Sequence, residues 1–345
     1  RLMPRDAYRF ARGEQGPSSS GQQVKLAHPL DFYMITDHSD GMGVIIDILQ
    51  GTPELMADPF VRELHDGFNN GGVEAQEAAF NMIAAFSQGE IPDVMNYQPG
   101  HPAYKRTWND IIAAAEEFND PGEFTTLIAY EWTSLVNGNN LHRNVIFRDG
   151  KDKTGQVEPY TTTPPWGSPD PQDLWKWMQD YEDTTGGNVL AIPHNGNLSN
   201  GWMFSLQDDF DNGAPLTREY AEARQKWERL YEATQMKGDG ESHPLLSAED
   251  EFADFETWDY GNLDASAFKT PEMLPGEYAR SGLKRGLEFE EQLGVNPYKF
   301  GQIGSTDSHT SLPTAEEDNF YGKHSGVEPG PNRWEHLVIK GVEDS

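Results

Sequence analysis

Residues 31–40 read DFYMITDHSD. Phe32, Tyr33, Met34 and Ile35 form an apolar β-type run that stops at Thr36, so Asp37 and His38 sit where a buried strand would emerge. Three later stretches repeat the arrangement: TTLIAYE ends on Glu131, NVLAIPH ends on His194, and KFGQIGSTDSH ends on Asp307 and His309. Parallel α/β sheets and barrels gather their active sites at the C-terminal ends of strands. The repetition therefore predicts that these side chains meet.

Outward from that stretch, strand and helix patterns alternate. A helix is expected over 4–13, the first strand over 30–36, mixed helix and loop over 41–72, and helices over 73–88 and 103–119. Asp120-Pro121-Gly122 ends the last of these. A strand over 124–132 carries Glu131, and after a turn at 137–140 a short strand over 142–148 is entered at His142. Then come a helix over 171–181 with Pro171 at its first position, a strand over 188–193, a helix over 216–226 and a strand over 227–232. A polar loop over 237–243, a helix over 277–293, a strand over 298–304 and a final strand over 334–340 complete the chain. The alternation is the mark of a parallel α/β sheet or barrel. With no internal repeat and no linker, it reads as one domain over 1–345 with loop insertions.

Composition narrows the function classes. The 345 residues carry 57 acids against 26 Lys and Arg, a formal charge of −31, which argues against a partner in nucleic acid or an anionic membrane surface. No apolar run approaches the ~20 residues of a membrane span. Cysteine is absent, so disulfides and thiolate sites are excluded and any metal must be held by His, Asp, Glu and water. The chain opens on Arg1 directly into a helical pattern, which points to a fragment, a processed product or further sequence upstream.

Six residues carry the chemical expectation: His38, Glu131, His142, His194, Asp307 and His309. Any one alone is more often a hydrogen-bonding loop residue. Repetition at strand ends shifts the balance, and a mixture of imidazole and carboxylate without sulfur suits Zn, Mn or Fe. His28, His65, His101, His324 and His336 lack that setting and read as loop or surface residues. His243 lies with Lys237, Asp239 and Glu241 in a polar segment that either lines a pocket or is a solvated loop. There is no G-x-S-x-G, P-loop, H-E-x-x-H or strand-following G-x-G-x-x-G, which disfavours a serine hydrolase, an NTPase and a zincin.

Through RDAYRFARGE, PLDFYMITDHSD, AYEWT, LHRNVIF, IPHNGN, ESHPLLSAEDEF and GSTDSHT, the chain resembles the polymerase and histidinol phosphatase (PHP) superfamily. Within it the chain is most similar to the branch called domain of unknown function 3604. The resemblance implies a distorted (β/α)7 barrel with loop insertions and two or three divalent ions, Zn, Mn or Fe. It places His38, Glu131, His142, His194, Asp307 and His309 at metal-ligand positions. It also implies hydrolysis of a small-molecule phosphate ester by a metal-activated water, without a covalent nucleophile, centred on Glu131, His194 and Asp307. Asp37 would orient the ligand histidine, and Arg12, Arg143, Asn195, Lys237, Glu241 and His243 would support the ligands or the substrate. The family's opening H-x-H motif is absent, so the first barrel strand is expected upstream of Arg1. Export signals common among relatives, the non-Met start and the lack of cysteine favour a periplasmic or secreted protein and leave a cytoplasmic one open. Two alternatives stand: an amidohydrolase-like or sulfatase-like enzyme with the same ligands, and a non-catalytic acidic module that binds metal or a partner.

Overall fold

The computed structural model describes residues 2–314 and 316–323. Its principal helices are α1 (Pro4–Ala11), α2 (Val44–Gln50), α3 (Pro59–Asn70), α4 (Gly72–Ser87), α5 (Pro102–Phe118), α6 (Pro171–Thr185), α7 (Arg218–Trp227) and α8 (Ala279–Leu293). The strands that position the site are β1 (Phe32–Ile35), β2 (Thr125–Trp132), β3 (Arg143–Phe147), β4 (Val189–Pro193), β5 (Leu230–Gln235) and β6 (Gly301–Gly304). The expected strand over 334–340, with His324 and His336, lies outside the described residues.

β1 to β4 form one sheet in that order, and β5 pairs with β6 in a second, three-stranded one. β1 runs parallel to β2, with Ile35 opposite Ile128, and β5 runs parallel to β6. β3 is antiparallel to both neighbours, with Asn144 opposite Glu131 and Ile192. The expected (β/α)7 barrel is therefore corrected: the described strands form separate sheets of two to four strands and no closed barrel. One cause lies in the link from β2 to β3, which is too short for the crossover helix a parallel neighbour needs. Asn137 and Gly138 instead adopt φ of 52° and 80° and turn a small hairpin between Leu135–Val136 and Asn139–Asn140. A Cβ on Gly138 would also collide with the Asp264 carboxylate. At the other end of the wall, β1 and β6 each have one hydrogen-bonded neighbour among the described residues, and Phe32 is 62% exposed.

Alternation decides what each face of β2 buries. Ile128, Tyr130 and Trp132 point outward into the main core with Tyr8 of α1, Trp108 and Ile111 of α5, and Trp175, Met178 and Tyr181 of α6. Burying each such side chain contributes roughly 1.5–3 kcal/mol. α6 extends beyond its expected end at 181 to Thr185, and is held at its start by Pro171 and by the Asp170 carboxylate accepting from Gln172 N at 2.9 Å. Facing the other way, Ala129, Ile146 and Ile192 cluster with half-buried Met34, Leu127, Leu190, Leu230 and Ile303. That apolar inner face spans both sheets.

The expectation of mixed structure over 41–72 resolves into helices, α2 and α3 among them, which make a second core with Ala78 of α4 through Val44, Ile48, Val61 and Leu64. β5 begins at Leu230, later than the expected 227, because Trp227 ends α7 and is buried in the main core.

Candidate metal centre

The β1–β2 pairing continues past the strand: Glu131 N donates to Asp37 O at 2.9 Å and Ser39 N donates to Glu131 O at 2.8 Å. Those two bonds fix His38 beside Glu131. His142 immediately precedes β3, and because β3 is antiparallel its start lies at the same end of the sheet as the finish of β2 and β4. His194 follows β4, its N–H donating to His142 O at 3.4 Å. The reversed strand thus delivers its imidazole from its beginning.

Glu131 is 3% exposed. Its Oε1 lies 2.7 Å from His142 Nδ1 and 2.9 Å from His194 Nε2, and its Oε2 lies 3.1 Å from His38 Nδ1. Burial alone would raise the Glu131 pKa, but His38, His142 and His194 outweigh it and hold the carboxyl well below its usual range. Burial dominates at His142 and pushes it down to about 4 against the pull of Glu131. His194 is also opposed by burial, yet the charges of Glu131, Glu232 and Asp307 carry it upward. The two rings on Oε1 are thus shifted in opposite directions.

One ligand atom each from Glu131, His142 and His194 lie within 4.8 Å of one another. His142 Nε2 and His194 Nδ1 are buried and have no hydrogen-bond partner among the described residues. A buried polar atom without a partner costs about 1–3 kcal/mol, so this cluster is unsatisfied as it stands. The sulfur-free N,N,O set, with His38 adjoining, fits a borderline divalent cation.

Asp307 and His309 stand beside that group in a second cluster. Asp307 Oδ2 lies 2.6 Å from Lys237 Nζ and 2.9 Å from Lys323 Nζ, and accepts from Gln235 Nε2 at 2.7 Å. Burial opposes ionisation of Asp307, but Lys237, His309 and Lys323 override it and hold its pKa well below the usual value. His309 Nδ1 bonds Asp307 O at 2.9 Å, and its ring centroid is 6.1 Å from that of His38. Gln235 Nε2 also donates to Asn195 Oδ1 at 2.6 Å. Asn195 and Asp307 both adopt left-handed backbone, with φ of 50° and 48°, a conformation that concentrates where function requires it.

The other expected residues are dispersed. Asp37 serves Glu131 through its carbonyl, while His38 Nδ1 bonds Thr133 Oγ1 at 2.7 Å. Arg143 is buried on the opposite face of the sheet, 3.0 Å from Glu228. Exposed Arg12 lies 6.0 Å from the Phe118 ring centre. Glu241 pairs with Arg280 at 2.8 Å, and His243 with Asp259 at 2.9 Å. Sequence reasoning passed over Thr133, Gln235, Glu232 and Lys323. Glu232 is buried in the middle of β5 with Oε1 unpartnered among the described residues, and because it ends the strand expected over 227–232, the rule that picked Glu131 also fits it. Lys323 carried no local signal.

His38, Glu131, His142, Lys237, Asp307 and Lys323 open onto one cavity of about 2080 Å³, which continues along the apolar inner face of the sheets. No helix among the described residues is long and apolar enough to cross a membrane. A family model described as "Protein of unknown function (DUF3604)" matches residues 1–343. The chain belongs to the DUF3604 family. No curated protein and no solved structure matches it.

Proposed function

We propose that the chain is a metal-dependent hydrolase acting on phosphate esters, and that DUF3604 is a branch of the PHP superfamily. The observation that carries this reading is the buried Glu131 carboxylate, met by three imidazoles while two of their outer nitrogens lack partners. Glu131, His142 and His194 would hold a divalent cation, with His38 and His309 next to them and Asp307 held by Lys237 and Lys323. Such a cation supplies a water of lowered pKa and polarises a phosphoryl oxygen.

The chain's own groups account for the rest. Glu131 stays ionised, and His142 stays neutral over the physiological range. His194, whose pKa Glu131, Glu232 and Asp307 raise against burial, would release its extra proton on taking up the cation. Lys237 answers the negative charge of the ester. The apolar wall below the centre limits the water that reaches it.

Elemental mass spectrometry of the purified chain, loaded with Zn, Mn or Fe and then dialysed, tests this first. At least one tightly held ion is expected, with hydrolysis of a model phosphomonoester or diester that Glu131→Gln abolishes. A folded chain that retains no ion would refute the reading.

A further inference from the structure

Two lysines far apart in sequence meet at one carboxylate. Lys237 follows β5, and Lys323 comes from the segment whose carbonyl at 323 accepts from His309 N at 2.8 Å. Their ammonium groups lie 2.6 and 2.9 Å from Asp307 Oδ2, Lys323 also donates to Asp307 O, and the side chains are 18% and 6% exposed. Burying an ammonium costs several kcal/mol even after relaxation. One carboxylate offsets one ammonium, and the second is left facing the acids of the centre, Glu131 and Glu232.

A buried pair of cations on one carboxylate occurs elsewhere in the chain, where Arg143 and Arg224 hold Glu228. That cluster is sealed in the protein, with side chains 1–4% exposed. The lysine pair instead opens onto the cavity shared with His38, Glu131 and His142. Without an ion, the three carboxylates Glu131, Glu232 and Asp307 outnumber the two ammoniums. One bound dication reverses the sign, and the positive excess then faces the cavity.

We infer that Lys237 and Lys323 form the seat for a dianionic phosphoryl group, which makes phosphomonoesters the substrate class, with Asp307 as the counter-ion that occupies the two ammoniums when no substrate is bound. This rests on the metallohydrolase reading for its chemistry, although the seat itself can be examined without it. Lysine suits the role as a compact point charge that grips phosphate oxygens without the planar demands of arginine. A diester, with a single negative charge, would use only half of the seat.

Calorimetric titration of the full chain with inorganic phosphate, with metal content measured on the same samples, is the test. In the ion-loaded protein, Lys237→Met and Lys323→Met should each weaken phosphate binding about tenfold or more while metal equivalents stay unchanged. Lys323→Gln replaces Lys323→Met if the latter does not fold. In the metal-stripped protein, Asp307→Asn should bind phosphate more tightly than the wild type, since both ammoniums lose their internal counter-ion, and adding Lys323→Gln should cancel the gain. A lysine with a merely structural role would not produce that increase. Phosphate affinity within about twofold of wild type in both lysine variants, or loss of metal in place of phosphate, would overturn the inference. If the wild type holds no metal, the hydrolase reading fails, and the stripped Asp307→Asn protein still decides the seat: lysine-dependent phosphate binding supports it, and none overturns it.

Discussion

Glu131 and Glu228 are both 3% exposed, and both are held by nitrogen donors from more than one element. Their partners differ in kind. Glu228 meets Arg143 Nε and Arg224 Nε at 3.0 Å and Trp175 Nε1 at 3.0 Å, groups that stay protonated at any ordinary pH. It is a structural joint between β3, α6 and α7, with Oε2 held by the charge of Arg224 and without an aligned hydrogen bond among the described residues. Glu131 meets three imidazoles, a side-chain type that carries no permanent charge, and two of their outer nitrogens are buried without hydrogen-bond partners among the described residues. Burial of a carboxylate therefore says little about its role, whereas the permanence of its partners' charge says much.

The contrast can be broken by exchanging what each site loses. Glu228→Ala leaves two buried guanidiniums without their counter-ion and should cost about 3–5 kcal/mol of stability, read from urea unfolding, with metal binding intact in whatever remains folded. Glu131→Gln should lower metal affinity about a hundredfold or more, taking the upper range for ligand-supporting groups as the floor for a ligand. Competition with a chromogenic chelator measures it. If Glu131→Gln lost stability like Glu228→Ala and kept its metal, the two carboxylates would be of one kind.

A third, smaller effect depends on pH. Folded His142 titrates at about 4 against an ordinary 6.5, so between those values the unfolded chain binds a proton that the folded one refuses. Stability of the metal-free protein should therefore fall as pH drops from 6.5 toward 4, by on the order of 2–3 kcal/mol from this group. Urea unfolding across that range should show a flatter slope in His142→Asn. The smallest expected effect belongs to Thr133→Val, which removes the hydroxyl that bonds His38 Nδ1. A loss of about tenfold in metal affinity with the fold unchanged is the expected outcome.

Much of this arrangement was legible in the sequence. An apolar run ending on a ligand-type side chain marked Glu131 and His194 because alternation and burial act within a few residues. The helix start at Pro171 was legible for the same local reason, and the start expected at 103 falls one residue inside Pro102. The direction of β3 was not read, although Asn137-Gly138 is a strong signal for a chain reversal. Its misreading turned an antiparallel hairpin into part of a parallel barrel. Arg143 was expected to support the ligands or the substrate, and it pairs instead with Glu228 on the far face of the sheet. Alternation sends adjacent side chains to opposite faces, so the neighbour of His142 had to point into the helix layer. Lys323 reaches Asp307 through chain closure that no local pattern encodes.

The hairpin between β2 and β3 also sets an order of assembly. Glu131 and His142 are close in sequence and joined by a tight turn, so loop closure is cheap and their pairing can precede the rest. His194 needs α6 and β4 to arrive, and the lysine pair needs almost the whole chain. On the proposed reading, a nascent chain would hold two of the ion's ligands, Glu131 and His142, long before it held the lysines that would receive an anion.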